Sequence, residues 1–377
     1  MLVQPGARHN YALARFLSQH DMLQRVYTDF VLGKGHPMRS ILALPLPAHV
    51  KSKLARRATD ALPAALMRSG FDVSLPFLGR QTLRRPSSRD IEQSDGFYVQ
   101  YFTGGTDIRV RAPRKPIISD VFIVPGAYRA IDREVADFPE WGEASTPPEL
   151  VRRYDTHSRT MFEQSDVLFC PSQAVIDDVA RYGAHFANKC RLVPYGASLN
   201  STGGTPEPGR VLFCGSLQLR KGVQYIRAAA DMLRASHPHI RFVFAGGGSA
   251  IMRSKLTAPN IALLGHLGKT ELLREFGRAD LFLFPSLAEG AAGTVLEAMA
   301  SGLPILATRE AGVDFTDGTS GIVLPPRDAE AIAEAVVRVV EDRALRASLS
   351  AGAMREAETY SMAAWEARFI AAVSDVF

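Results

Sequence analysis

Two glutamates eight residues apart, Glu289 and Glu297, sit in the stretch LFLFPSLAEGAAGTVLEAMASGLPILAT at residues 281–308. Small residues (Gly290, Ala291, Ala292 and Gly293) fill the space after the first, and Thr294 follows them. An apolar run ending at Pro285, a glycine-flanked turn, a helical pattern at 295–300 and a second apolar run after Pro304 read as strand, turn, helix and strand. A helix start presents free N–H groups that favour anions, which puts a diphosphate over Ala292, Gly293 and Thr294. Carboxylates repel phosphate, so Glu289 and Glu297 make sense as acceptors for sugar and ribose hydroxyls on either side of it. That chemistry predicts a nucleotide-sugar site. The competing reading is structural. Ser286-x-x-Glu289 and Thr294-x-x-Glu297 both have capping-box spacing, and each glutamate then only closes a helix end.

A second chemical element lies upstream. The strand pattern at 210–215 (RVLFCG) ends in glycine, and SLQLRKG follows it. At that offset Arg220 and Lys221, with Gly222 behind them, present cations to a diphosphate; on an ordinary helix start such a pair is only surface. Gly246-Gly247-Gly248 after the strand pattern at 240–245 invites a dinucleotide reading. It lacks the full G-x-G-x-x-G spacing and an acidic partner, so a nicotinamide enzyme is the weakest alternative.

The elements that must position these groups alternate. Strand patterns at 2–4, 23–27, 97–102, 116–121, Val167–Cys170 and 190–196 are separated by helix patterns, as at 10–19, and imply a parallel sheet covered on both faces. Residues 199–209 (LNSTGGTPEPG) break all periodicity and mark a linker, after which the pattern starts afresh. At 377 residues, with 46% hydrophobic and 22% charged residues, the chain suits two medium domains with their own cores. The three cysteines, Cys170, Cys190 and Cys214, have no metal spacing and read as buried free thiols. No signal peptide or membrane-spanning run is expected, which places the chain on the cytoplasmic side.

Charge is uneven. Residues 1–115 hold 18 Lys and Arg against 8 Asp and Glu, a balance of +10, whereas residues 201–377 hold 18 against 19. A basic amino-terminal part suits anionic lipid or an anionic acceptor. Aromatic residues do not interleave with the basic ones as base stacking requires, so nucleic acid is not an expected partner. A helix is expected at 50–69, interrupted by Pro63, with Lys51, Lys53, Arg56 and Arg57 near its start. It reads as an amphipathic helix with a solvated basic face in preference to an interfacial helix docking peripherally on the inner face of the membrane.

The whole context from Pro285 to Thr308 resembles the E-x7-E signature of retaining GT-B glycosyltransferases, specifically glycosyltransferase family 4. The resemblance implies an α/β fold of two Rossmann-like domains facing each other across a cleft, residues 1–205 on the acceptor side and 206–359 on the donor side. It implies that the helix at 360–377 packs back on the first domain. The implied activity is transfer of a sugar from a nucleoside-diphosphate sugar to a glycan, lipid-linked or small-molecule acceptor, with retention at the anomeric carbon. Glu289, Lys221 and Arg220 are then the catalytic residues. Gly6, Ser216, His266, Leu267, Gly290, Ala291, Ala292, Gly293, Thr294 and Glu297 line the substrate, with no metal and no cofactor beyond the donor. Two positions depart from the family pattern: Val124 or Pro125 stands where a cleft histidine is usual, and Ser216 replaces a basic residue. A sugar-nucleotide epimerase of the same fold, or a nucleotide-sugar-binding protein with impaired catalysis, is the alternative.

Overall fold

Runs such as Leu281–Phe284 and Arg210–Cys214 carry apolar side chains on both faces of the pleat, which suits strands covered by helices on either side. A computed structural model describes residues 1–4, 12–28, 32–33, 58–59, 62, 64–69, 86–100, 107–197 and 204–377. The chain divides into two units. One holds Met1–Val121, Thr156–Phe169 and Ser374–Phe377; the other holds Phe122–Asp155 and Cys170–Val373.

The second unit is built on a parallel sheet in the spatial order Ile261–Gly265, Arg241–Ala245, Arg210–Cys214, Leu281–Phe284, Ile305–Ala307, Gly321–Val323. Its first strand in sequence lies inside. The chain adds two strands on one side, then crosses back and adds three on the other. The reversal falls between Arg210–Cys214 and Leu281–Phe284, which pair Val211 with Leu281 and Leu212 with Phe282. Ligands of open α/β sheets bind at such a reversal, beyond the carboxyl ends of the strands. Helix Val223–Leu233 covers the sheet with Val223, Ile226, Ala230 and Leu233, an apolar stripe at helical spacing. Asp328 caps the helix Ala329–Glu341 by accepting the Ala331 N–H.

The first unit repeats the plan. Met67–Ser69, Val26–Thr28, Leu2–Val3, Phe97–Gln100, Ile117–Asp120 and the strand beginning at Val167 pair in that order, all parallel. Helix Ala12–Gln19 buries Ala14, Phe16 and Leu17. Over its described part the helix expected at 50–69 is reduced to a single 3-10 turn, Ala64–Leu66, between strands. Ala58–Thr59 pairs with Leu32–Gly33, and Met67–Ser69 pairs with Val26–Thr28. A free edge beside Val26–Thr28 takes up the backbone groups of Met67–Ser69, and sheet pairing outweighs local helix propensity there. Lys51, Lys53, Arg56 and Arg57 lie outside the described residues.

The last helix, Met362–Ser374, buries Trp365, Phe369 and Val373 as their spacing requires. No helix among the described residues is long and apolar enough to cross a membrane.

Candidate active site

Beyond Cys214 the chain passes through a short loop into a 3-10 turn, Leu219–Lys221, and through Gly222 into helix Val223–Leu233. Gly222 has φ +73°, and a Cβ there would run into the carbonyl oxygen of Pro285. Only glycine allows both that conformation and that approach. The turn is thereby laid against the loop that leaves the neighbouring strand. Leu287 N–H donates to the Arg220 carbonyl at 2.8 Å, and Ser286 Oγ lies 3.2 Å from the same oxygen. The two loops at the reversal point are thus clasped through one carbonyl.

Both predicted cations converge on the first glutamate. Lys221 Nζ lies 2.6 Å from Glu289 Oε1 and Arg220 Nη1 lies 2.5 Å from the same oxygen. Ser286 Oγ also donates to it, at 2.8 Å, and Arg220 Nη1 donates to the Ala288 carbonyl as well. The Lys221 ammonium sits over the Phe284 ring, 4.8 Å from its centroid, and Phe284 in turn stacks on Phe213. The side chains of Lys221, Arg220 and Glu289 are only 12%, 17% and 13% exposed. Burial pulls the Lys221 ammonium below its ordinary pKa, with Glu289 opposing the shift. One carboxylate facing two cations leaves a surplus positive charge in a poorly solvated place. An anion entering there meets a favourable field.

The Ser286-x-x-Glu289 capping reading does not hold, because no helix starts at Ser286; the serine and glutamate meet side chain to side chain instead. Helix Gly293–Ala300 starts at an N-cap, Ala292, that has no side-chain cap. The second capping box, from Thr294 to Glu297, is therefore also absent. The Thr294 hydroxyl donates to the Cys214 carbonyl at 3.4 Å. Gly293 is exposed, and a Cβ on it would meet nothing within 4 Å. The N–H groups of Gly293 and Thr294 thus remain for an anion.

Ala292 does not share that role. It is buried, and its N–H donates to the Ala311 carbonyl at 3.0 Å, so the N–H expected to face phosphate is spent on shaping the loop. Gly290 is buried as well, and its carbonyl accepts Ser172 Oγ at 2.6 Å; Ala291 is half-buried. Glu297 lies one turn into the helix, half-buried, and its carboxylate has no hydrogen-bond donor among the described residues. Burial pushes its carboxyl above the usual range, against the pull of Lys269. A half-buried acceptor with no protein donor suits a ligand hydroxyl. Close by, burial and the Glu297 charge push the Cys214 thiol up to about 12, which leaves it inert at neutral pH.

Ser216 is exposed, and its hydroxyl donates to Gln218 Oε1 at 3.0 Å. Exposed His266 and half-buried Leu267 follow the edge strand Ile261–Gly265, on the same side of the sheet but two strands from the reversal. The glycine run has a packing cause. A Cβ on Gly246 would run into the Gly215 carbonyl, and Leu217 N–H donates to the Gly247 carbonyl at 2.8 Å. Val124 is buried. Gly6 lies outside the described residues.

Two carboxylates without a motif also reach this region. Glu143 Oε2 accepts the Leu219 N–H at 2.8 Å. Glu134 is fully buried and accepts from Gln224 Nε2 and Tyr225 Oη at 2.7 Å each and from Arg327 Nε at 2.6 Å. Glu134 is a buried position of helix Ala127–Asp137 and Glu143 a half-buried position in the segment after it, and no local pattern distinguishes either from a surface acid.

Comparison with known proteins fits this geometry. Residues 208–342 match the family model described as glycosyl transferases group 1. The glycogen synthase of Mycobacterium tuberculosis is 32% identical over 226 residues, 57% of this chain and 50% of its own length. A sulfoquinovosyl transferase of Arabidopsis thaliana is 27% identical over 223 residues, 54% of this chain and 43% of its own. The chain thus spans about half the length of these curated relatives. Among solved structures, Anabaena HepE in complex with UDP and glucose has a TM-score of 0.65 at 14% identity, covering 99% of this chain and 98% of that one. Sucrose-phosphate synthase from Thermosynechococcus elongatus has a TM-score of 0.58 at 17% identity, covering 75% and 74%. The fold is that of GT-B glycosyltransferases.

Proposed function

We propose, from the match of residues 208–342 to the group 1 glycosyl transferases, that the chain moves a sugar from a nucleoside-diphosphate sugar to an acceptor, with retention at the anomeric carbon. The observation that carries the reading is the convergence of Lys221, Arg220 and Glu289 at the strand reversal, beside a helix start with free N–H groups. Lys221 and Arg220 take the diphosphate, and the Gly293 and Thr294 N–H groups flank it. Glu289 accepts from sugar hydroxyls and Glu297 from the ribose. As the bond from the anomeric carbon to the phosphate oxygen breaks, its electron pair leaves with the diphosphate. The two cations offset that growing charge in a site that holds little water, so no metal enters the proposed step. UDP complexes of HepE favour a uridine base among the alternatives.

A thermal-shift screen of UDP, GDP, ADP and their sugars tests the reading, since a ligand that binds only the native state raises its stability. One base is expected to raise the melting temperature and to support sugar transfer. A chain stabilised by none of them would refute the site. The +10 balance of residues 1–115 suits contact between that part of the chain and an anionic surface or acceptor. Flotation with anionic vesicles at low salt, lost as salt rises, is the expected sign; equal flotation with neutral vesicles, or none, would remove it.

A further inference from the structure

We propose that Glu143, supported by Glu134 acting through Gln224, is a positioning residue that holds the turn carrying Arg220 and Lys221 in register with the bound diphosphate. This rests on the reading that those two cations hold the diphosphate. The Leu219–Lys221 turn begins with an orphan N–H, that of Leu219, which has no acceptor within its own turn. Glu143 Oε2 supplies one at 2.8 Å. The carbonyl of the same residue is gripped from the other side, where Gln224 Nε2 donates to Leu219 O at 3.0 Å and to Glu134 Oε2 at 2.7 Å.

Glu134 is itself held in place, because Tyr225 Oη and Arg327 Nε take two more of its acceptor positions and it is 0% exposed. Arg327 reaches it from a backbone at φ +65°, a conformation that non-glycine residues adopt only when the surroundings hold them there. Both peptide groups flanking the Leu219 Cα are therefore pinned, one residue before the first cation. Neither glutamate touches the candidate ligand groups. Charge contacts with a diphosphate depend on placement to within a fraction of an ångström, so pinning the turn raises affinity for the diphosphate part of the donor alone.

Glu143 is the residue to test, because it is half-buried and its truncation leaves no cavity in the core. The full chain is titrated with UDP, GDP and ADP and with the matching nucleosides, and the diphosphate that wild type binds is carried forward. Glu143→Ala is expected to weaken that diphosphate about three- to tenfold, the range for loss of one hydrogen bond. Nucleoside affinity stays nearly unchanged, while the melting temperature falls by a few degrees because the Leu219 N–H loses its acceptor. Glu143→Gln, which keeps an acceptor oxygen for the Leu219 N–H, is expected to bind the diphosphate as wild type does. A wild-type diphosphate affinity in Glu143→Ala, or an equal loss for nucleoside and diphosphate, would overturn the inference. If Lys221→Ala weakens the diphosphate and Glu143→Ala does not, the site reading stands and this inference alone falls. If wild type binds no diphosphate, both fall.

Discussion

Replacing Glu289 by glutamine should separate diphosphate affinity from turnover, and in opposite directions. One carboxylate oxygen takes Lys221 at 2.6 Å, Arg220 at 2.5 Å and the Ser286 hydroxyl at 2.8 Å. A diphosphate must draw at least one cation away from that oxygen. The amide oxygen still accepts from both cations but no longer attracts them as a carboxylate does, so it holds each less firmly by about 1 kcal/mol. Releasing one or both cations then costs about 1–2 kcal/mol less, and free nucleoside diphosphate binds about five- to thirtyfold tighter. Transfer moves the other way. Sugar hydroxyls lose a charged acceptor, and turnover at saturating donor falls by about a hundredfold. Two cations without a carboxylate also repel one another, so the empty variant melts lower and diphosphate restores it. Calorimetric titration, turnover and melting curves on one preparation measure all three. Parallel loss of affinity and turnover would refute the reasoning. So would a lower melting temperature with affinity and turnover per folded molecule unchanged, which is the signature of a purely structural glutamate.

Lys221→Ala should weaken the diphosphate about ten- to hundredfold while nucleoside affinity stays put, read by the same titration; an unchanged diphosphate affinity removes Lys221 from the site. Glu297 tests the pH dependence. Its folded-state carboxyl is raised, chiefly by burial, so the folded chain holds that proton more firmly than the unfolded one. Its effect on stability therefore worsens as pH rises from the ordinary carboxylate range through the raised value. Glu297→Gln should raise the melting temperature at neutral pH, lose the advantage at acid pH, and weaken nucleoside binding; a lower melting temperature at neutral pH counts against it. Cys214, pushed up to about 12, should resist iodoacetamide at pH 8 in the native chain and react on denaturation, as mass spectrometry would show. Rapid native labelling would contradict that burial.

The parts of the site legible in the sequence are those built from neighbours along the chain. Leu281–Phe284, the turn to Glu289 and helix Gly293–Ala300 follow from an apolar run, a proline, small residues and a helical stripe within twenty residues. Gly222 announced a turn for the same local reason, although the carbonyl it must clear belongs to Pro285, over sixty residues away. What stayed hidden depends on distant partners. Ala292 reads as one more small residue at a helix start until the Ala311 carbonyl takes its N–H. The capping-box spacings fit Glu289 and Glu297 equally well, and only the true helix start decides against them. Met67–Ser69 has helical propensity, yet it follows the edge of Val26–Thr28. Glu134 and Glu143 have no motif at all, since their partners lie 76 or more residues further along the chain.

The placement of Phe122–Asp155 with Cys170–Val373 has a practical corollary for domain exchange. Cutting at the linker and swapping carboxy-terminal halves between two such chains would keep the E-x7-E stretch whole but replace Glu134 and Glu143 with a stranger's residues. Arg327, Tyr225 and Gln224 would lose the buried acceptor that all three share. A half-buried charge and two buried donors left without their acceptor cost a few kcal/mol, a large part of a domain's stability. A hybrid joined at residue 206 should therefore melt well below either parent. One that also carries residues 122–155 from the donor-side parent should recover, and a linker-joined hybrid as stable as its parents would show the graft to be self-sufficient after all.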